Sequence, residues 1–151
     1  MNVENLQSQC YEDTSDSLQE SYVTVETAKL LKEKGFNVKT EFLYEEGKPN
    51  LIESYVSNSE LLSECYSAPT HDLALKWLRE RHNIVVLAKP LDYDDKFYIE
   101  IFKKTDGEWH LSGDEDTSLV WTGDTPLTVN YNTYEEATDE GIKYCLENLF
   151  K

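Results

Sequence analysis

The stretch "KFYIEIFKKTDGEWHLS", Lys96 to Ser112, restricts the fold more than any other part of the chain. Side chains alternate on either side of Asp106-Gly107, a pair suited to a two-residue turn, and this predicts an antiparallel hairpin. On its first arm Phe97, Ile99 and Ile101 share one face, while Tyr98, Glu100 and Phe102 share the other. A lone hairpin is marginal in water, so its apolar face has to be covered by other elements.

The flanking residues supply the cover. In "ECYSAPTHDLALKWLRE" Pro69 suits a first helical turn and Ser67 or Thr70 can cap it. Ala74, Trp77, Leu78 and Arg81 then share one face with Leu73 beside them, and Asn83 is a left-handed stop. "NIVVLAKP" reads as a central strand ended by Pro90, and "SLVWT" and "LTVNY" as short further strands around "GDTP". At the carboxy end Thr133 and Glu136 predict a capping box. Ala137, Gly141, Cys145 and Leu149, flanked by Ile142 and Leu146, predict the buried stripe of a long helix. Gly141 stands alone inside that helix, where glycine costs about 1 kcal/mol relative to alanine, so close approach of helix to sheet is its expected role.

Upstream, "TVETAKLLKEKGF" predicts a helix capped by Thr24, with Val25, Ala28 and Leu31 at helical spacing. Gly35 is its left-handed terminator, with Phe36 as the hydrophobic closure. "NVKTEFLY", the turn-rich "EEGKPN" and "LIESYV" read as a second hairpin. The expectation is therefore an α+β fold: an antiparallel sheet with helices packed on one face and a carboxy-terminal part of α-β-β-β-α order. Residues 1–21 are expected to be a flexible acidic leader, with Glu4, Glu12, Asp13, Asp16 and Glu20 and no lysine or arginine. Residues 22–151 then form a single domain, helix plus hairpin over 22–66 and helix-sheet-helix over 67–151.

Charge limits the functions available to such a chain. Its 151 residues carry 30 acidic and 14 basic side chains, a net charge of −16. Binding to nucleic acid or an anionic membrane depends on lysine and arginine, so neither is expected as a direct partner. Cys10, Cys65 and Cys145 are odd in number and widely spaced, which argues against a disulfide framework or a zinc site. With no signal-peptide pattern and no long apolar run, the expected location is the cytoplasm.

The helix-strand-strand-strand-helix order is similar to that of the double-stranded-RNA-binding domain. That family places lysines at the start of its last helix to meet phosphates, whereas this helix begins "TYEEATDE", which removes the RNA role the topology would imply. "SYVTVETAKLLKEKGF", "CYSAPTHDLALKWLRE" and "YNTYEEATDEGIKYCLENL" also resemble segments of small uncharacterised proteins found in gut-bacterial phages and prophages. That resemblance implies a phage-associated context and carries no activity.

Candidate chemistry is sparse. Cys65 and His71 are close in sequence, but a nucleophile and base need mutual geometry and an oxyanion site; the expectation is a half-buried cysteine and a solvent-facing first-turn histidine. Asp92, Asp94 and Asp95, and likewise Asp114, Glu115 and Asp116, offer oxygen ligands for a hard cation without a calcium-loop pattern, and are expected to be solvated loops. His82 and His110 have no partner at metal-ligand spacing. Tyr98, Phe102, Trp109 and Trp121 could form a stacking platform, but the positive groove of a single-strand binder is lacking, so core packing under the helices is expected. These observations point to a non-enzymatic acidic interaction protein that binds another protein with a basic surface and needs no cofactor. A phage accessory or anti-defence factor that mimics DNA is its sharpest form. The alternative is a small-ligand or divalent-metal-binding protein, or an enzyme, with a pocket near the sheet.

Overall fold

A computed structural model describes residues 18–91, 95–111 and 131–150. Its elements in chain order are α1 (Val25–Glu33), β1 (Thr40–Glu45), β2 (Ile52–Val56), a 3₁₀ turn (Asn58–Glu60), β3 (Cys65–Ala68), α2 (His71–His82), β4 (Ile84–Pro90), β5 (Phe97–Thr105), β6 (Glu108–Leu111) and α3 (Tyr134–Asn148). The class is α+β. The strands form two three-stranded antiparallel sheets, ordered β2-β1-β3 and β4-β5-β6.

Local signals account for most element ends. Thr24 caps α1 by accepting the Thr27 amide. Beyond α1 Gly35 takes φ +94°, its amide bonds the Lys32 carbonyl and the Phe36 amide bonds that of Leu31, which is the paired closure of a Schellman motif. Asn83 ends α2 at φ 57°, and Asp106 and Gly107 turn the β5–β6 hairpin with φ of 53° and 81°. Thr133 caps α3 by accepting the Glu136 amide; the Glu136 carboxylate returns to the amide of Asn132, one residue earlier than a capping box requires.

Three expectations are corrected. Cys65–Ala68 is not the approach to a helix but strand β3, paired with β1 from Phe42↔Ala68 to Glu45↔Cys65. Pro69 accordingly lies before the cap Thr70, and its carbonyl accepts the Val23 amide at 3.1 Å, which draws the residues just before α1 to the end of β3. The run 84–90 is an edge strand among the described residues; β5 is central. Edge position explains how Pro90 can pair with Phe97, because a residue without an amide proton is tolerated where one side needs no ladder. The "SLVWT" and "LTVNY" segments lie outside the described residues except for Tyr131, which exchanges two backbone hydrogen bonds of 2.8 Å with Phe97.

One buried cluster joins α1, α2, α3 and both sheets: Leu31, Phe36 and Tyr44 on one side, Trp77, Leu78, Ile99, Ile101, Ile142 and Leu146 on the other. The helix α3 lies over β4 and β5 and touches α1 and α2. Gly141 is where it comes closest: a Cβ there would stand 2.5 Å from Val86 Cγ1 and 3.5 Å from Ile99 Cγ2. Gly141→Ala is therefore expected to destabilise by about 1–2 kcal/mol, because overpacking against a stiff β-branched side chain outweighs the helix propensity gained. Urea unfolding checks it, and an unchanged or raised midpoint would show that Val86 moves aside freely.

Candidate functional site

The polar centre of the molecule is Asp139, a residue that no motif singles out. It lies on α3 three and seven positions before Ile142 and Leu146, on the stripe that faces the core, and is 5% exposed. A carboxylate in such a place needs partners for both oxygens. Oδ1 accepts the Thr24 amide and meets His71 Nε2, both at 3.0 Å; Oδ2 accepts the hydroxyls of Thr24 and Thr27, both at 2.8 Å. One side chain thus holds the amino ends of α1 and α2 against α3. The only sequence signal for it was an acid standing at a core position of the stripe.

Burial pushes the Asp139 carboxyl up, but the bonds from His71, the Thr24 amide and the two threonine hydroxyls outweigh it and hold the pKa below its ordinary value. A folded-state pKa below the unfolded one stabilises the fold fully above the unfolded value, and that contribution is lost as pH falls through the folded value. The stability gap between wild type and Asp139→Asn is accordingly expected to stay constant at neutral pH and to narrow below about pH 4. Urea midpoints from pH 7 to pH 3 test this; a gap that widened in acid would contradict the ionised assignment.

His71 departs from expectation. Its first-turn position lays it against α3 rather than in solvent, and it is 7% exposed. With Nε2 held by the carboxylate, its Nδ1 is buried and has no hydrogen-bond partner among the described residues. A carboxylate-oriented imidazole is the pair a general base uses, but Cys65 does not complete it. Burial raises the Cys65 thiol, and the neighbouring Glu45 and Glu64 raise it further against Lys32 and Lys48, the reverse of an activated nucleophile. Cys145 is fully buried in the core, and burial raises its thiol as well.

Asp95 is exposed; Asp92, Asp94, Asp114, Glu115, Asp116 and Trp121 lie outside the described residues. Among the described residues no three His, Cys, Asp or Glu side chains gather in a metal-binding group, and no helix is long and apolar enough to cross a membrane. His82 packs between Trp77 and Phe150, with ring centroids 4.4 and 4.3 Å away, and burial followed by the Arg81 charge lowers its pKa. His110 is exposed on β6. Tyr98 packs against the buried cluster, whereas Phe102 and Trp109 do not pack under the helices as expected. The β5 register gives that face to Ile99 and Ile101, and Trp109, opposite Lys104, is 44% exposed on the other side with the Lys104 ammonium 5.8 Å from its ring.

A cleft of about 290 Å³ opens beside His71, lined by Leu18, Gln19, Glu20, Ser21, Thr70, His71, Asp72 and Tyr134. It sits where the segment leading into α1 passes the first residues of α2 and α3. No protein-family model, no curated protein and no solved structure matches this chain.

Proposed function

We propose that this protein works by binding another protein that carries a basic surface. The observation that supports it best is uncompensated charge. Against a net charge of −16 the described residues hold three lysine–glutamate ion pairs, Lys29–Glu46, Lys48–Glu45 and Lys89–Glu100. On α3 Glu136, Glu140 and Glu147 share one face at spacings of four and seven. Burial raises the Glu140 carboxyl, and the charges of Asp139, Glu136 and Glu147 add to that against Lys143. A cation brought to this ridge relieves that repulsion, and a field of one sign steers a basic partner toward it. The specific form of this reading is a cytoplasmic, phage-encoded accessory protein that occupies the basic cleft of a host defence protein in place of DNA. Its support is the charge together with the resemblance to phage proteins, and the free Cys65 and Cys145 thiols suit a reducing compartment.

The test is capture by the immobilised protein from a lysate of gut bacteria, compared with the Glu136→Gln/Glu140→Gln/Glu147→Gln variant. Glutamine keeps the polar contacts and removes the charge, so about tenfold less partner is expected on the variant at low salt. Equal capture would remove the ridge from the proposal. A second reading, a small-ligand protein, draws on the cleft beside His71; a metabolite or metal that raises the melting temperature would favour it.

A further inference from the structure

A cavity of about 370 Å³ opens where α2 and α3 end, lined by His82, Ile84, Lys103, Leu149 and Phe150. Strand register explains how Lys103 comes to be there. Ile84 pairs with Lys103 and Lys103 with His110, so the three stand in a row on the sheet face that Ile99 and Ile101 present to the helices. Lys103 is two residues beyond Ile101 on that face, beside the residues that follow α3. We infer that this cavity binds a small organic acid, its carboxylate at Lys103 and His82 and its apolar body against Ile84, Leu149 and Phe150. The inference stands apart from the function proposed above.

Charge at the cavity selects an anion. Acidic side chains outnumber basic ones 30 to 14 in the chain, and no carboxylate side chain lines this cavity. Lys103, and likewise Arg79 and Arg81 in the last turn of α2, form no ion pair among the described residues. Each helix end carries about half a negative charge, which would favour a cation. Arg79 and Arg81 offset the end of α2 from its own last turn, and the full charge of Lys103 exceeds what α3 contributes, so the sign left over is positive.

The second observation is His82. Its ring is held by Trp77 and Phe150, yet neither nitrogen bonds a described residue and neither is closed off from solvent. Burial and then the Arg81 charge lower its pKa, so at neutral pH the ring is uncharged and has one N–H to donate. An ammonium and an imidazole N–H on one cavity give a carboxylate two donors. The remaining walls are apolar: Ile84 is buried, and Leu149 and Phe150 are half-buried. An inorganic anion would leave these walls wet, whereas a ring or short chain behind the carboxylate covers them. The volume lies near the lower end of the roughly 300–1,000 Å³ range of small-molecule sites, which suits one such group.

The experiment titrates the full-length protein with phenylacetate, reading the His82 ring and the amides of Lys103, Leu149 and Phe150 by NMR. Phenylacetamide keeps the shape without the charge, and inorganic phosphate keeps a charge without the apolar body. Saturable shifts confined to those groups are expected with phenylacetate, at an affinity of about 1 mM. Both control ligands, and phenylacetate on Lys103→Gln, should bind about tenfold more weakly. Lys103 is half-buried and unpaired among the described residues, so the variant should fold; its unchanged spectrum elsewhere confirms that. Lys39→Gln removes the same charge at an exposed position elsewhere and should bind as the wild type does. Equal weakening by Lys39→Gln would show that net charge alone governs binding, which overturns the inference. Wild-type affinity in Lys103→Gln, a control ligand that binds as tightly as phenylacetate, or no shift with any of the three also overturns it. Failure of the proposed function shows separately, as lysate capture that salt does not alter.

Discussion

Asp139→Ala is expected to lower the unfolding free energy by about 3–5 kcal/mol, the cost of removing one member of a buried charged network and leaving its partners behind. Four donors lose their acceptor at once: the Thr24 amide, two threonine hydroxyls and the His71 ring. The amide cannot find a substitute, because it is the free end of α1. The hydroxyls can rotate, and for that reason the total stays below the sum of four separate penalties. In a domain of this size the loss corresponds to roughly 10 °C in melting temperature. Asp139→Asn keeps one carbonyl oxygen and should fall between the two. Chemical denaturation decides the matter; a change below about 1 kcal/mol would mean that water or a repacked His71 replaces the carboxylate.

The second large effect is expected at Trp77. It is 7% exposed, meets Phe36 edge-on at 5.4 Å and stacks on Phe150 at 5.8 Å, so it links the turn after α1 to the end of α3. Trp77→Ala removes the largest side chain of that junction, and truncations of this kind cost about 3–5 kcal/mol. Trp77→Phe, which keeps a ring in the gap, should cost less than half as much. If the two variants unfolded at the same denaturant concentration, indole packing would not be what holds α2 to its neighbours.

How much of this was legible in the sequence depended on the range of the interaction. Thr24, Gly35, Asn83, Asp106-Gly107 and Thr133 mark ends through bonds to residues a few positions away, and short range is what a sequence exposes. Gly141 was legible too, since a glycine inside a helix is unfavourable unless something approaches closely. Strand β3 was missed because its four residues make sense only beside β1, twenty or more positions upstream. Phe102 and Trp109 were assigned to the wrong side because alternation identifies two faces of a strand without saying which one a helix covers. The His71–Asp139 pair spans 68 positions. Each residue alone looks like an ordinary polar side chain on a helix, and only the packing of two helix starts against α3 makes them a site.

The most direct measurement of the central claim is retention of a partner by the immobilised full-length chain at about 0.05 M and about 0.5 M salt. A protein with a basic surface held at the lower concentration and released at the higher is the predicted result, because screening weakens an association guided by exposed carboxylates. Retention that is indifferent to salt, or no retained protein at either concentration, would contradict it.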